Sequence, residues 1–316
     1  MTTAVGRDFK KGRRYLQVTN HVSICIATYK RLQMLERLLR KLARQNTNSN
    51  FHVSIFVVDN DAKGSAKSTA YKIRNECNLD LEYSIEPIRS IAAVRNHALR
   101  RSKGNYIAII DDDEIPPVDW LLNLFNTIQT FDVDGALGPV HPFFDSPPPE
   151  WLIKGKFCER PVLRTGTLLK WHQTRTGNVL LKREVFDEYN IRFDEKFKTG
   201  GSDQAFFKKA IEKGYRFVAC AEAPVYEVVP AERWKKSYYI NRALVNGFNA
   251  HKYFNSLSTF FALIKSTVAL IIYVLLLPFS LLVGTHRVMQ CLEKGSYHLS
   301  RVLATFGIEV LKRRNF

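Results

Sequence analysis

The sequence predicts an α/β fold: a mostly parallel central sheet flanked by helices, followed by a C-terminal apolar helical segment. Short, nearly continuous apolar runs alternate with helical patterns, which is typical of βαβ units whose sheet is covered on both faces. Hydrophobic residues make up 46% of the 316 residues, enough to bury a core, and this excludes intrinsic disorder. Near the C-terminus, residues 266–286 contain no Lys, Arg, Asp or Glu.

The elements of the sheet follow one another at regular intervals. The apolar run at 22–27 predicts a buried strand, and leucines at helical spacing predict a helix over about 32–44. The same patterns then predict a strand at 53–58, a helix over 66–76, a strand at 81–85, a helix over 91–101, a strand at 106–110, a strand at 176–182, a helix over 203–213 and a strand near 215–220. The proline-rich residues 142–151 predict a loop.

The net charge of +17 comes from 47 basic and 30 acidic residues, and it is compatible with binding to nucleic acid or to an anionic membrane. The charge is concentrated at the ends of the chain. Residues 1–20 carry +4, residues 231–316 carry +9, and the 210 residues between them carry only +4. A nucleic-acid-binding protein should instead cluster basic and aromatic residues on its folded domain. We therefore expect an anionic inner-leaflet membrane as partner and no nucleic acid.

The apolar segment, at about 259–285, is long enough to form a membrane helix. At about 1.5 Å per residue, its 21 uncharged residues would cross a hydrocarbon core of about 30 Å. Basic residues stand on both sides of it, whereas positive charge marks only the cytoplasmic side of a single span. Three alternatives stay open: a re-entrant or interfacial hairpin bent near Pro278, a single span, and a buried core helix.

The cysteines indicate the compartment. Five cysteines, scattered along the chain and without a C-x-x-C pair, predict a reducing environment and no disulfide framework. No apolar run follows the basic residues of the first twenty positions, so no signal peptide is predicted. Together with the apolar segment, this predicts a location at the cytoplasmic face of the inner (plasma) membrane.

Polar clusters follow three of the predicted strands. They are Thr28-Tyr29-Lys30-Arg31, Asp59-Asn60-Asp61 and Asp111-Asp112-Asp113-Glu114. Parallel strands place all three clusters along one edge of the sheet, where ligands bind in open α/β folds. Four consecutive carboxylates repel one another unless a cation lies among them, and oxygen ligands suit Mg²⁺ or Mn²⁺. Such an ion would neutralise a departing diphosphate.

Three segments resemble the nucleotide-sugar-binding half of family 2 glycosyltransferases, which have the GT-A fold. They read VSICIATYKR, FVVDN and AAVRNHALRRSKGNYIAIIDDDE, and the resemblance extends over about residues 21–230. It is strongest to bacterial enzymes of surface-polysaccharide synthesis, including the succinoglycan type. The resemblance implies an inverting, metal-dependent glycosyltransferase of the hexosyltransferase type. Such an enzyme moves a sugar from a nucleotide diphosphate sugar, most often UDP-linked, to a glycan or lipid-linked acceptor with Mn²⁺ or Mg²⁺ as cofactor.

The resemblance also implies roles for individual residues of the donor site. The nucleotide sugar would be bound by Thr28, Tyr29, Asp59, Arg95, Asn96, Asp111 and Asp112. The metal would be held by Asp113 and Asp111. Within this set Asp59 would accept a hydrogen bond from the base. The Asp-x-Asp motif favours Asp113 as the direct metal ligand. Side chains alternate along an extended segment, so Asp111 and Asp113 would share one side of it.

The second half carries the catalytic and acceptor-side candidates. Asp203 matches the family's general base, although a helix cap explains Gly-Gly-Ser-Asp equally simply, and Ser202 stands where relatives often have an acid. Trp151, Asn178 and Arg233 resemble acceptor-side landmarks; packing, a turn and a structural arginine are their alternatives. Glu227 occupies a position that is commonly His in the family.

The predicted organisation is a basic N-terminal extension at 1–20, a GT-A-like glycosyltransferase domain at 21–230 and a basic helical region at 231–316. A nucleotidyltransferase remains an alternative, because it would share the sheet and the metal-binding carboxylates. Enzymes of that class usually have a glycine-rich basic loop after the first strand, and Thr28–Leu32 contains no glycine. A basic nucleic-acid-binding protein is the weaker alternative.

Overall fold

The computed structural model describes residues 20–197, 201–250 and 256–308. Its elements in chain order are β1 (Asn20–Thr28), α1 (Leu32–Leu42), β2 (Phe51–Asp59), α2 (Lys67–Cys77), β3 (Leu81–Ile85), α3 (Ile91–Arg101), β4 (Tyr106–Asp111), β5 (Glu114–Ile115), α4 (Trp120–Phe131), β6 (Gly135–Leu137), β7 (Val140–Phe143), α5 (Glu150–Lys154), β8 (Val179–Lys182), α6 (Glu184–Asp187), α7 (Ser202–Glu212), β9 (Phe217–Ala219), β10 (Val225–Val228), α8 (Lys236–Ala250), α9 (Ser256–Val283) and α10 (Thr285–Thr305).

The strands form a large central sheet and a small accessory sheet. The large sheet has the order β3-β2-β1-β4-β8-β6-β9, and its first four strands are mutually parallel. Strand β8 runs antiparallel to both of its neighbours, whereas β6 and β9 pair in parallel. The accessory sheet has the order β5-β10-β7. The predicted α/β class, with a mostly parallel sheet flanked by helices, is confirmed.

Each face of the large sheet is covered by its own apolar cluster. Alternate residues of a strand point to opposite faces, and β1 follows this rule. Ile24 and Ile26 pack in one buried cluster with the leucines of α1, whereas Cys25 packs in another with residues of α3. In β4, Ile110 joins the first cluster and Ile109 the second. The continuous apolar runs of the sequence reflect this burial on both faces.

The strand register brings the three polar clusters together. Thr28 pairs with Asp59 across β1 and β2, and Ala27 pairs with Asp111 across β1 and β4. All three strands end at the same level, so the residues that follow them lie side by side at one edge. This edge carries the candidate active site.

The C-terminal helices pack on the sheet domain as a layered group. Met289 of α10 lies in a small third apolar cluster with Leu152, Phe157 and Tyr239. The side chain of Gln290 donates a hydrogen bond to the Gly155 carbonyl at 3.0 Å. Further along α10, Ser300 Oγ donates to the Leu244 carbonyl of α8 at 2.6 Å. Helix α10 therefore contacts the rest of the protein along much of its length.

Helix α9 packs outside α10 as the second arm of a helical hairpin. Tyr273 of α9 stacks on His298 of α10, with ring centroids 6.0 Å apart. The more buried positions of α9, such as Ser266, Tyr273 and Ser280, recur at intervals of seven residues. Most of the other apolar side chains of α9 are exposed, and Leu282 is 86% exposed. The stretch Phe260–Val283 is long and apolar enough to cross a membrane.

The position of the hairpin bend differs from the sequence prediction. Pro278 lies inside α9, and the helix continues through it to Val283. The chain reverses at Gly284, whose φ of 131° lies in a region that favours glycine. The exposure of α9 also excludes the alternative of a buried core helix.

Other differences concern short or irregular elements. Helix α4 and the accessory sheet were not predicted. The loop predicted at 142–151 is shorter in the structure, because β7 ends at Phe143 and α5 begins at Glu150. The strand predicted at 176–182 begins only at Val179, because Asn178 has a left-handed φ of 61°. The predicted extension at 1–20 lies almost wholly outside the described residues.

Candidate active site

Four acidic side chains crowd together where β4 ends. Asp112, Asp113 and Glu114 are buried, and Asp111 is partly exposed. Burial, together with the nearby Asp111 carboxylate, raises the pKa of Asp113 to about 7 and raises that of Glu114 well above its ordinary value. Burial also raises the pKa of Asp112. The cluster thus holds more negative charge than its surroundings easily accommodate.

Residues that follow β1 partly balance this charge. Thr28 Oγ1 donates to Asp112 Oδ2 at 2.8 Å. One nitrogen of Arg31 contacts both Asp112 Oδ1 and Asp113 Oδ2 at 2.9 Å. Burial alone would lower the pKa of Arg31, but these two carboxylates outweigh it and raise that pKa. The first and third polar clusters of the sequence are therefore joined by direct contacts.

Arg95 connects the acidic cluster with the predicted general base. Its guanidinium lies 3.3 Å from Asp111 Oδ1 and 3.9 Å from Asp203 Oδ1, and its side chain is only 8% exposed. Thr176 Oγ1 donates to Asp203 Oδ2 at 3.3 Å. Asp203 lies in the first turn of α7, after Gly201, which has a φ of 99°. Ser202 is fully buried, and its hydroxyl has no hydrogen-bond partner among the residues that the structure describes.

The carboxylate cluster has a donor set that suits a divalent cation. A methyl group at Gly177 would lie 2.7 Å from Glu114 Oε1 and 2.9 Å from Asp111 Oδ2, so the absence of a side chain keeps the space beside these oxygens open. The donors are all carboxylate oxygens, which Mg²⁺ and Mn²⁺ prefer. No set of three or more His, Cys, Asp or Glu side chains in the described ranges is already arranged as metal ligands. Mg²⁺ typically binds one or two carboxylates plus substrate phosphates, and the cluster fits that pattern.

A second group of charges surrounds Glu227 in strand β10. Arg160 contacts Glu227 Oε2 at 2.9 Å, and Arg233 contacts Glu227 Oε1 at 2.7 Å. Arg233 also lies 3.5 Å from Asp113 Oδ2. Arg233, an acceptor-side candidate in the sequence, therefore lies at the acidic cluster itself. The accessory sheet positions this group, because Glu227 pairs with Glu114 in the ladder between β10 and β5.

A cavity of about 600 Å³ opens above these groups. The sheet edge contributes Asp111, Glu114 and Glu227 to its lining, and Asp203 lies on the side formed by α7. Helices α8 and α10 close another side with residues that include Asn246, Asn249, Tyr297 and Arg301. The cavity is large enough for a sugar ring and part of an acceptor.

The predicted base-binding residues lie at the far end of the same edge. Tyr29 is partly exposed, and the guanidinium of Arg89 lies 4.5 Å from its ring centroid. Asp59 is fully buried and accepts three hydrogen bonds, from the backbone amides of Asp61 and Ala66 and from the Tyr83 hydroxyl. These bonds shape the loop after β2, and contact of Asp59 with a base stays a prediction.

Three other candidates make contacts that stabilise the fold. Asn96 exchanges two hydrogen bonds of 2.9 Å with the backbone of Phe193. Asn178 is fully buried; it accepts from Trp120 and donates to the carbonyls of residues 139 and 223. The Trp151 ring packs edge-on against Phe157 at 5.2 Å. Their assignments to the donor or acceptor side stay predictions.

Several residues in the site were not singled out from the sequence. Arg31 appeared there only as part of a polar cluster. Arg175, which lines the cavity, directly precedes the predicted strand at 176–182, which contains the acceptor-side candidate Asn178, and that position is the one signal that marked it. The contribution of α8 and α10 had no local signal, because it depends on how helices from the end of the chain pack.

Comparison with known proteins identifies the family. The model of glycosyl transferase family 2 matches residues 23–190. The succinoglycan biosynthesis protein ExoM of Rhizobium meliloti (strain 1021) is 33% identical over 234 residues, which is 72% of this chain and 74% of ExoM. The chondroitin synthase of Escherichia coli is 28% identical over 122 residues, 39% of this chain and 18% of the synthase.

Solved structures share the fold at low sequence identity. S. aureus TarS 1–349 in complex with UDP has a TM-score of 0.53 and 17% identity, covering 91% of this chain and 92% of the other. The same protein in complex with UDP-GlcNAc has a TM-score of 0.55 and 16% identity, with the same coverage. The predicted GT-A-like fold is thereby confirmed.

Proposed function

The chain belongs to glycosyltransferase family 2, and from this premise we propose that it is an inverting, metal-dependent enzyme of bacterial surface-polysaccharide synthesis. It moves a sugar from a UDP-linked donor to a glycan or lipid-linked acceptor. The observation that carries this proposal is the position of Arg95, which contacts Asp111 at 3.3 Å and Asp203 at 3.9 Å. Arg95 thus holds a metal-binding candidate and a general-base candidate on either side of one cavity.

The donor lies along the edge formed by β1, β2 and β4. Tyr29, with Arg89 against its ring, offers a surface for the base at one end of this edge. The cations Arg31 and Arg233 lie at the other end, beside Asp113, where they balance a diphosphate. The UDP and UDP-GlcNAc complexes of TarS support a donor of this kind.

Asp111 and Asp113 would hold the Mn²⁺ or Mg²⁺ ion, and the missing side chain of Gly177 leaves space beside Asp111. When bound, the ion supplies Lewis-acid stabilisation of the charge on the departing diphosphate. Asp112 serves the same site indirectly, because its contacts with Thr28 and Arg31 orient the backbone between the two ligands.

Asp203 acts as the general base. It removes the proton from the acceptor hydroxyl as that oxygen attacks the anomeric carbon. The bond from that carbon to the diphosphate oxygen breaks at the same time, and its electron pair leaves with the nucleoside diphosphate. Attack on the face opposite the leaving group inverts the configuration. Thr176 and Arg95 hold the Asp203 carboxylate toward the cavity.

Helix α9 binds the cytoplasmic face of the inner membrane and lies along the bilayer surface. Its outer side exposes apolar residues, whereas its inner side packs on α10, which also contacts the catalytic domain. A helix held lengthwise against α10 is poorly placed to cross a bilayer, because α10 carries Arg287, Lys294 and Arg301. These charges instead suit anionic headgroups. We propose a division near residue 230 between a catalytic domain and a helical region that binds the membrane and also lines the cavity.

A donor screen tests the proposal. Purified full-length protein is titrated with nucleotide sugars by calorimetry in the presence of Mn²⁺, and UDP release is followed with acceptor lipids added. We expect a UDP-sugar to bind only with metal present. Failure of every nucleotide sugar to bind would overturn the proposed function.

A further inference from the structure

Arg175 differs from the neighbouring arginines Arg160 and Arg95 in its direct contacts. Arg160 contacts Glu227 at 2.9 Å, and Arg95 contacts Asp111 at 3.3 Å. The half-buried guanidinium of Arg175 has no hydrogen bond or ion pair with any residue of the described ranges, yet it lines the same cavity. It is therefore available to a ligand.

The environment of Arg175 destabilises the charged form of its guanidinium. Burial, and then the positive charge of Arg160, lowers the pKa of Arg175 to about 10. The nearby carboxylates of Asp203, Glu227 and Glu114 offset only part of this effect. A cation removed from water without a partner destabilises the folded protein unless a ligand supplies the missing charge. Guanidinium groups bind phosphate through two parallel N–H donors, so an anion of this kind satisfies Arg175 best.

Arg175 makes no direct contact with Asp113, but it is close enough to Asp203 to interact with it electrostatically. Arg31 and Arg233 lie at Asp113, where the diphosphate of the donor is expected. Arg175 instead immediately precedes Thr176, which donates to Asp203. The anion that it meets therefore lies on the general-base side of the cavity, where the acceptor enters.

The helices that line this side of the cavity also pack against the apolar helix α9, which indicates that a lipid could reach the cavity. Asn246 of α8 and Tyr297 of α10 line the same cavity as Arg175. Helix α10 in turn packs against α9, whose outer side is apolar and exposed. A ligand that extends from Asp203 along these helices passes from a polar cavity to an apolar surface within one helical layer.

We propose that Arg175 binds a phosphate group of a lipid-linked acceptor, on the Asp203 side of the cavity. The proposal rests on the proposed function, since it presumes that Asp203 faces the acceptor. The proposal adds a binding site for the phosphate that joins the acceptor sugar to its lipid carrier. A neutral acceptor would offer Arg175 no phosphate to bind.

Binding measurements with a short carrier analogue test this site. Full-length protein in detergent micelles is saturated with UDP and Mn²⁺ to fill the donor site, then titrated with farnesyl diphosphate or farnesol. We expect R175Q to weaken the binding of farnesyl diphosphate by roughly tenfold to a hundredfold, as for loss of a charge-assisted hydrogen-bond pair. Binding of farnesol and UDP should not change.

The matched control is R164Q, because Arg164 is an exposed arginine of the same region that does not line the cavity. It should bind all ligands as the wild type does. Equal affinity of R175Q and wild type for farnesyl diphosphate would overturn the proposal. So would a matching loss of UDP binding, which would assign Arg175 to the donor, or competition by inorganic diphosphate as tight as farnesyl diphosphate.

A conservative variant covers the case in which R175Q does not fold. R175K keeps the charge but loses the planar fork, so its preference for farnesyl diphosphate over farnesol should fall several-fold. An unchanged preference contradicts the proposal. UDP binding by the wild type is measured first, in a titration without farnesyl diphosphate, and its failure would count against the proposed function. A lack of farnesyl diphosphate preference in wild-type protein that does bind UDP would count against the role of Arg175 alone.

Discussion

Replacing Gly177 by alanine should weaken metal binding without preventing folding. The backbone at Gly177 does not have a positive φ, so its conformation is one that alanine can adopt. Its methyl group would lie 2.7 Å from Glu114 Oε1 and 2.9 Å from Asp111 Oδ2, whereas ordinary contacts begin at 3.4 Å. Glu114 is buried and accepts a hydrogen bond from the Asp111 amide at 3.0 Å, so it resists movement. Asp111 can shift because it is more exposed, but the contact with Glu114 Oε1 is also too short, so Glu114 or the backbone at residue 177 must move as well.

The size of that shift sets the expected effect. Moving Asp111 Oδ2 from 2.9 Å to 3.4 Å from the methyl carbon requires about 0.5 Å. Metal–ligand distances tolerate only about 0.2 Å, so the site loses its geometry. We expect the Kd for Mn²⁺ to rise by roughly 10- to 100-fold. Overpacking should also lower the free energy of unfolding by about 1–3 kcal/mol.

Calorimetric titration with Mn²⁺ in the presence of UDP measures the effect. The control is G295A, because within the described part of the chain a methyl group at Gly295 meets only Tyr273 Cβ, at 3.8 Å. G295A should bind Mn²⁺ as the wild type does and should gain slightly in helix stability. If G177A binds Mn²⁺ within twofold of the wild type, the space beside Asp111 and Glu114 is not a metal site.

Three further perturbations address the base, the membrane and the helical hairpin. D203N should lower the rate of sugar transfer by about 10²–10⁴-fold with UDP affinity unchanged; transfer at a wild-type rate in a coupled UDP-release assay would exclude Asp203 as the base. L282E, at a side chain 86% exposed, should reduce flotation with anionic vesicles while leaving the melting temperature unchanged, and undiminished flotation would contradict a membrane role for this end of α9. Burial, with Arg301 and Lys265 nearby, lowers the pKa of His298 below its unfolded value, so folding favours the neutral ring and stability is lost as pH falls below about 6.5. Thermal unfolding between pH 7.5 and 5.5 should show this loss, and H298Q should reduce it; an equal loss in H298Q would assign it to other groups.

The sheet was predictable because its sequence signals are local. An apolar run such as 22–27 predicts a strand, and the residues that follow it lie at the edge of the sheet. Parallel pairing then places Thr28, Asp59 and Asp111 at one level without further information. The direct contact of Arg95 with Asp111 follows from the same local order, because α3 immediately precedes β4.

The remaining features depend on contacts between distant parts of the chain. The burial of Asn178 results from Trp120 and two carbonyls far from it in sequence, and the prediction could not anticipate them. The bend at Gly284 was missed because proline is the stronger helix breaker in isolation. Packing against α10 is one contribution that favours an uninterrupted α9 through Pro278.

Helix α10 takes part in both the cavity and the membrane-binding surface, so it can couple acceptor binding to membrane attachment. The same helix contributes Tyr297 and Arg301 to the cavity and supports α9 at its outer side. If a lipid surface favours one arrangement of these helices, and that arrangement binds acceptor more tightly, then the acceptor must favour attachment to lipid by the same factor. Enzyme that has found a substrate would then leave the bilayer more slowly than enzyme that has not. Successive encounters would follow a two-dimensional search, in which carrier density per unit of membrane area replaces bulk concentration.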